Sequence, residues 1–196
     1  MHMEPFILNR AETSVLKLLL ILLICIGASS CNERSKLRKT MTDFMGSVIV
    51  IPDDLECISN RSIENISIED LKPARFIVYY DSLGCSSCRI SHLADIYPLL
   101  DLADSSDFSV VTIFSPRQEE LEDVRVKLMV ADYDFPVYVD VNGTFGKLNR
   151  CIPTDVRFHE FLLDEIGKPL FVGNPTSNEQ LSDLFRVALR EQNNNN

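Results

Sequence analysis

The stretch that decides the fold reads Phe76-Ile77-Val78-Tyr79-Tyr80-Asp81-Ser82-Leu83-Gly84-Cys85-Ser86-Ser87-Cys88. Its first five residues are aromatic or β-branched, and such a run predicts a buried strand. From Ser86 to Ile96 the apolar residues follow helical spacing, and we predict that Pro98 breaks or kinks this helix. The two cysteines therefore lie between the end of a strand and the start of a helix.

This cysteine spacing is compatible with two kinds of chemistry. Two cysteines separated by two residues close a small disulfide ring or bind a metal ion. At the start of a helix, unpaired backbone N–H groups and the helix dipole favour the thiolate form of Cys85. The position after a strand and before a helix favours the redox interpretation.

The composition limits the class of partner. The chain has 196 residues and a formal net charge of −10, with no basic cluster. Nucleic-acid-binding surfaces are positively charged, so this balance argues against a nucleic acid as partner. Without its first 30 residues the chain remains long enough for one domain with its own core.

The N-terminus resembles a bacterial lipoprotein signal. Arg10 and Lys17 precede an apolar run over residues 18–28, which Ser29-Ser30-Cys31 follows. This run is shorter than the roughly 20 residues of a membrane span but suits a signal-peptide core. We expect cleavage before Cys31 and lipid attachment at this cysteine; the alternative is an uncleaved anchor helix.

The remaining pattern predicts an α/β fold with a mixed sheet covered by helices. We expect a tether and N-terminal extension over residues 31–71, one domain over 72–190 and a disordered tail over 191–196. The extension should contain a short strand at 48–51 and a loop over 53–72. Further strands are predicted near 108–114 and 136–139, a helix through Leu121, Val124 and Leu128, a hairpin around Gly167, and a last helix capped at Ser177.

The order of these elements resembles the thioredoxin-like fold. The segment Phe161-Leu162-Leu163-Asp164-x-x-Gly167-Lys168 is similar to a pattern of the TlpA/ResA-type branch, membrane-anchored thiol–disulfide oxidoreductases of bacterial envelopes. The resemblance covers residues 72–190. It implies a three-layer α/β/α sandwich with a mixed central sheet.

The resemblance also implies roles for the cysteine pair. Cys85 would be the attacking thiolate and Cys88 the more buried, resolving thiol, and together they would form the redox-active disulfide. No cofactor is implied. The implied partners are envelope proteins that carry disulfides or thiols, an unknown upstream electron donor, and a membrane that holds the N-terminal lipid of a periplasm-facing protein.

In this family, an acidic residue within the strand before the cysteines usually transfers a proton to or from the buried thiol. In this chain, Tyr79 occupies that position. Asp81, four residues before Cys85, is a candidate shuttle, and its alternative role is that of a turn residue. Glu160 and Asp164 lie on a strand that should approach the site.

A cis-proline loop faces the cysteines in this family, directly before the strand that corresponds to residues 161–163. Counting back from Asp164 reaches Phe158, so either the loop is longer or the proline is lost. Pro153 is the candidate for the substrate-docking loop. Cys151 in the same loop is expected to approach Cys85 as a third thiol or ligand; its pairing with Cys57 is the other open possibility.

Metal binding is the alternative function. Cys85, Cys88 and His92 lie at i, i+3 and i+7, on one face of the predicted helix. Two thiolates and an imidazole are suitable ligands for zinc or copper. The same fold also serves as a non-catalytic binding module.

Overall fold

The computed structural model describes residues 33–195. Two compact units are present, with the boundary between Thr42 and Asp43. Over the described range, no helix combines the length and the apolar character that a membrane span requires. The predicted signal peptide and the lipidation site at Cys31 lie outside the described residues.

Seven strands and six α-helices form the described part of the chain. The strands are β1 (Glu56–Ser59), β2 (Ser62–Glu64), β3 (Arg75–Tyr80), β4 (Ser109–Phe114), β5 (Val137–Val139), β6 (Glu160–Leu163) and β7 (Pro169–Val172). The helices are α1 (residues 33–45), α2 (Ser86–Ile90), α3 (Tyr97–Asp104), α4 (Leu121–Val130), α5 (Thr144–Leu148) and α6 (Glu179–Asn195).

All seven strands belong to one mixed sheet of order β2-β1-β5-β4-β3-β6-β7. Strands β3, β4 and β5 are parallel neighbours. Strand β6 is antiparallel to β3, and β7 is antiparallel to β6. The parallel centre with its antiparallel hairpin is the sheet of a thioredoxin-like fold, so the predicted fold class is confirmed.

Each face of the sheet is covered, which gives three layers. Successive side chains of a strand point to opposite faces. Phe76 and Val78 of β3 join a core cluster with buried side chains of α3, α4 and α6. Ile77 and Tyr79 join a second cluster that includes Phe145 of α5. The loop that contains the cysteine pair leaves β3 at the end of this central strand.

The segment before residue 72 differs from its prediction. Residues 33–45 are helical where a tether was expected, and the predicted loop over residues 53–72 contains the β1–β2 hairpin. Strand β1 pairs with β5, so this extension completes the same sheet as the domain that was expected to begin at residue 72. Because the second compact unit begins at Asp43, residues 43–71 of the extension and the domain form one unit.

The predicted strand over residues 48–51 has no regular secondary structure and pairs with no strand. The Ile49 N–H donates to the Gly167 carbonyl at 2.8 Å. The Asn149 side chain accepts from the Val50 N–H and donates to the Val50 carbonyl, both at 2.7 Å. The Gly167 carbonyl and the Asn149 side chain therefore satisfy the backbone groups of Ile49 and Val50, and these groups need no partner strand.

The helices also depart from prediction at their ends. The expected helix over residues 86–96 is divided, since α2 ends at Ile90 and a 3₁₀ turn covers Leu93–Ile96. Pro98 lies in the first turn of α3, where a missing N–H costs no helical hydrogen bond. At α6 the side chain of Asn178, rather than Ser177, accepts from the Leu181 N–H at 2.9 Å. This helix extends to Asn195 and includes most of the residues that were predicted to form a disordered tail.

Candidate active site

The two cysteines of the motif form a disulfide at the start of α2. Their Cα atoms are 5.3 Å apart, a separation usual for disulfides. Cys85 is the N-cap residue, and its Sγ accepts a hydrogen bond from the Cys88 N–H at 3.2 Å. This backbone N–H would also stabilise a Cys85 thiolate in the reduced state, because a negatively charged sulfur accepts hydrogen bonds more strongly.

Cys88 is exposed, as Cys85 is, so the expected resolving thiol is not a buried residue. The buried residues of α2 are Ser86 and Ile90, four positions apart on one face of the helix. Cys88 lies between them in sequence and points away from that face. Both cysteines of the disulfide are therefore exposed to a partner in solution.

Two cations lie beside the pair. The Lys127 Nζ on α4 donates to the Ser87 Oγ at 2.7 Å and to the Asp123 Oδ2 at 2.6 Å. The guanidinium carbon of Arg89 lies 5.6 Å from the centroid of the Tyr80 ring. No pattern in the sequence pointed to Lys127, which is 40 positions from Ser87.

Asp81 holds the turn that leads from β3 to Cys85. Its Oδ1 accepts from the backbone N–H groups of Leu83 and Gly84 at 3.1 and 3.3 Å. An aspartate that bonds the backbone two and three residues ahead forms an Asx turn. This geometry shows that Asp81 is a turn residue, and its role as a proton shuttle stays a prediction.

A cavity of about 50 Å³ lies against the residues that flank the cysteines. Its lining residues include Asp81, Gly84, Ser86 and Arg89 around the start of α2, and His159 and Glu160 around the start of β6. A neighbouring cavity of about 200 Å³ is also lined by Arg89 and Glu160. Glu160 therefore lines both cavities beside the cysteine pair.

Glu160 is the first residue of β6 and lies directly opposite Val78 of β3. Burial raises the pKa of its carboxyl group, while a hydrogen bond from Asn174 and the charge of Arg89 act in the opposite direction. Asp164, the other acidic residue of this segment, accepts from the N–H groups of Ile166 and Lys168 in the hairpin turn. Of the two acids, only Glu160 lines the cavities beside the cysteines.

His159 is a site residue that the sequence interpretation missed. It is buried, its Nε2 lies 2.9 Å from the Pro153 carbonyl oxygen, and its ring centroid is 5.2 Å from that of Tyr79. The Tyr79 N–H donates to the His159 carbonyl at 2.9 Å. His159 lies directly before β6, where the resemblance predicted a docking loop, and this position could have identified it from the sequence.

The docking loop itself differs from the prediction. All peptide bonds of the described residues are trans, and Pro153 lines neither cavity beside the pair. Phe158 is buried in the second core cluster. Val156 and His159 are the residues of this loop that line the smaller cavity, so they replace Pro153 as docking-loop candidates.

The other two described cysteines do not join the site. Cys57 is buried and Cys151 is exposed, and both are free thiols, so they do not pair with each other. Cys151 lines neither cavity beside the pair, contrary to the expectation that it would approach Cys85. Burial raises the pKa of Cys57 to about 11, which keeps it in the thiol form.

The predicted metal ligands are not brought together. Within residues 33–195, no group of three His, Cys, Asp or Glu side chains has the arrangement of a metal site. The His92 side chain is 71% exposed, and its Nδ1 lies 3.5 Å from the Asp95 Oδ2. The i, i+3, i+7 spacing places Cys85, Cys88 and His92 on one face only if a single helix runs through all three. Because the helix ends at Ile90, His92 lies outside it.

Known proteins give similarities of structure but not of sequence. No family model and no curated protein matches the chain. A candidate thiol:disulfide interchange protein DsbE from Chlorobium tepidum matches with a TM-score of 0.48 and 19% identity, over 72% of this chain and 96% of its own. StoA from Bacillus subtilis matches with a TM-score of 0.38 and 21% identity, over 62% of this chain and 89% of its own. A second thiol:disulfide interchange protein from Chlorobium tepidum has a TM-score of 0.39 and 17% identity, over 75% and 97%. Because these values are low, the thioredoxin-like fold rests on the strand order and directions of the sheet.

Proposed function

We propose that this protein exchanges thiols and disulfides with other proteins through Cys85 and Cys88. The observation that carries the proposal is the exposed disulfide at the start of α2, with Cys85 as its N-cap residue. An exposed disulfide in a helix-start position is accessible to an attacking thiolate, whereas a structural disulfide is usually shielded.

The reaction requires only the two cysteines and the substrate sulfurs. In the reducing direction, the Cys85 thiolate attacks one sulfur of a substrate disulfide, and the other substrate sulfur leaves as a thiolate. The Cys88 thiol then loses its proton and attacks the Cys85 sulfur, which releases the second substrate thiolate. The substrate gains two electrons, and the Cys85–Cys88 disulfide forms again.

Several features of the site support this chemistry. The Cys88 N–H stabilises negative charge on the Cys85 sulfur, and the Lys127 ammonium group adds positive charge at Ser87, next to Cys88. Glu160 lines both cavities beside the pair, and its raised pKa suits a group that accepts and returns a proton. We assign it the proton-transfer role for which the sequence suggested Asp81.

The test is reduction of insulin by a dithiol, with and without the purified protein. We expect catalysis by the unaltered protein, loss of catalysis in Cys85→Ala, and full catalysis in the matched control Cys151→Ala. Cys88→Ser should accumulate a mixed disulfide that a non-reducing gel separates. Equal rates for Cys85→Ala and the unaltered protein would rule out the proposal.

We further propose that the protein works in a bacterial envelope, facing the periplasm and anchored by a lipid on Cys31. The apolar run and the Ser29-Ser30-Cys31 sequence support this placement. Its substrates would be envelope proteins with disulfides or thiols, supplied by a separate electron donor. Mass spectrometry of the protein from bacterial membranes should show an acylated N-terminal Cys31; an intact N-terminus would reject the anchor.

A further inference from the structure

The charged residues of the chain are distributed unevenly. Residues 33–39 contain four basic residues and one acidic residue, Glu33, whereas residues 40–196 contain 13 basic and 26 acidic residues. The first segment therefore has a net charge of +3 and the second a net charge of −13. Such an asymmetry is typical of proteins that bind a membrane or a nucleic acid through the basic segment. Helix α1 thus corrects the expectation that the chain has no basic cluster.

The α1 basic cluster consists of Arg34, Lys36, Arg38 and Lys39, and all four residues are exposed. Arg34, Lys36 and Arg38 form no ion pair within residues 33–195. At a rise of 1.5 Å per residue, Arg34 and Lys39 are about 7.5 Å apart along the helix axis. This distance is within the Debye length of about 8 Å at physiological ionic strength. The four charges therefore act together on an anionic surface.

One side of α1 combines positive charge with apolar side chains. Arg34, Leu37, Arg38 and Met41 are spaced by three or four positions, so they lie on one face of the helix. Leu37 is 39% exposed and Met41 is 37% exposed, although both are apolar. A helix that lies at a membrane surface has this composition, because its apolar side chains enter the headgroup region while basic side chains meet the phosphates. Lys36 and Lys39 lie on other sides of the helix and add charge.

The position of the cluster favours a membrane over a nucleic acid. It lies three to eight positions after Cys31, the residue proposed to carry a lipid. Even an extended chain spans at most about 3.6 Å per residue, so a lipid on Cys31 keeps all four residues within about 29 Å of the membrane. The net charge of −13 after residue 39 repels any polyanion, which confines the contact to α1.

We propose that helix α1 lies on the membrane surface and binds the phosphate groups of anionic phospholipids through the α1 basic cluster. The inference rests on the proposed membrane placement of the protein and is independent of thiol–disulfide exchange. Each guanidinium group offers a fork of donors to two phosphate oxygens, and each ammonium group adds a point charge.

Flotation of the full-length protein with lipid vesicles tests the proposal. One set of vesicles is phosphatidylcholine alone, and the other contains about 30% phosphatidylglycerol, which is anionic. The anionic preference is the ratio of the two lipid concentrations that bind half of the protein. Because both concentrations are measured on the same chain, binding through its apolar N-terminus contributes equally to both. We expect a preference of roughly tenfold or more at about 50 mM salt, and its loss at about 500 mM.

Two variants with equal changes of net charge locate the contact. The α1 variant combines Arg34→Gln, Lys36→Gln, Arg38→Gln and Lys39→Gln, and glutamine retains a high helix propensity. The control variant changes four exposed basic residues of the second compact unit, by Arg150→Gln, Lys168→Gln, Arg186→Gln and Arg190→Gln. The α1 variant should have an anionic preference below roughly twofold, whereas the control variant should keep most of the preference.

Three results would overturn the proposal. They are an unaltered chain without anionic preference, an α1 variant that keeps as much preference as the control variant, and tighter binding of a DNA duplex than of anionic vesicles at the same phosphate concentration. Insulin reduction by the α1 variant should equal that of the unaltered chain, because the cluster and the cysteines lie in different compact units. A failure of the membrane contact is thereby distinguished from a failure of thiol–disulfide exchange.

Discussion

The Nζ of Lys127 lies 2.7 Å from the Oγ of Ser87, so helix α4 places an ammonium group beside one of the two residues between the cysteines. Charge near a thiol shifts its ionisation, because a cation lowers the free energy of the thiolate but not that of the neutral thiol. This contact joins positions 40 residues apart and sets the electrostatics of the reduced site.

Lys127→Ala should raise the pKa of the Cys85 thiol in the reduced protein. We expect a modest rise, since the lysine side chain is partly exposed and its charge is screened by water and shared with Asp123. Thiolate absorbance in the ultraviolet, followed against pH, measures it. Lys168→Ala, in the hairpin turn, is the control; an equal shift there would mean that the effect is one of net charge.

Glu160→Gln should stabilise the protein at neutral pH relative to the unaltered chain. The folded-state pKa of Glu160 is raised by burial, so its contribution to stability is complete below the unfolded pKa and falls as pH rises through the folded value. The advantage of the variant should therefore shrink towards about pH 4. Denaturant unfolding at several pH values measures it.

The matched control for that experiment is Glu165→Gln, which removes a negative charge from an exposed position in the hairpin turn. If this variant reproduces the pH dependence seen for Glu160→Gln, the effect comes from net charge rather than from burial of one carboxyl group. The same two variants should differ in catalysis, with only Glu160→Gln changing the pH profile of insulin reduction.

Gly167→Ala should destabilise the protein by roughly 1–3 kcal/mol. Gly167 has a φ of +86°, which a residue with a side chain rarely adopts, and an added Cβ would collide with the Ile49 carbonyl oxygen. Thermal unfolding compares this variant with Gly84→Ala, where a Cβ would lie 3.9 Å from the nearest heavy atom, the Asp81 Oδ1. Similar melting temperatures would contradict the backbone argument.

The free thiols should react at different rates with an aromatic disulfide reagent. Cys151 is exposed and should react quickly in the native, oxidised protein, whereas Cys57 should react only after unfolding. Burial both shields Cys57 and raises its pKa to about 11, which leaves little thiolate. Cys151→Ser should remove the fast phase; fast reaction of Cys57 in that variant would show that β1 opens readily.

Local patterns determined much of the fold. The strand before the cysteines, the helix through Leu121, Val124 and Leu128, and the hairpin around Gly167 were predicted and confirmed. Each depends on neighbours in sequence: side-chain periodicity, a glycine with positive φ, or a short turn. The pairing of Cys85 with Cys88 is equally local, because only two residues separate them.

The tertiary structure decided the surroundings of the pair. The contact of Lys127 with Ser87, the placement of Glu160 and His159 beside the cysteines, and the pairing of β1 with β5 all join distant positions. The exposure of Cys88 follows from which face of the short helix α2 packs on the core, and its spacing does not reveal this. The sequence therefore located the reactive cysteines, whereas long-range packing determined which charged groups, cavities and titratable side chains surround them.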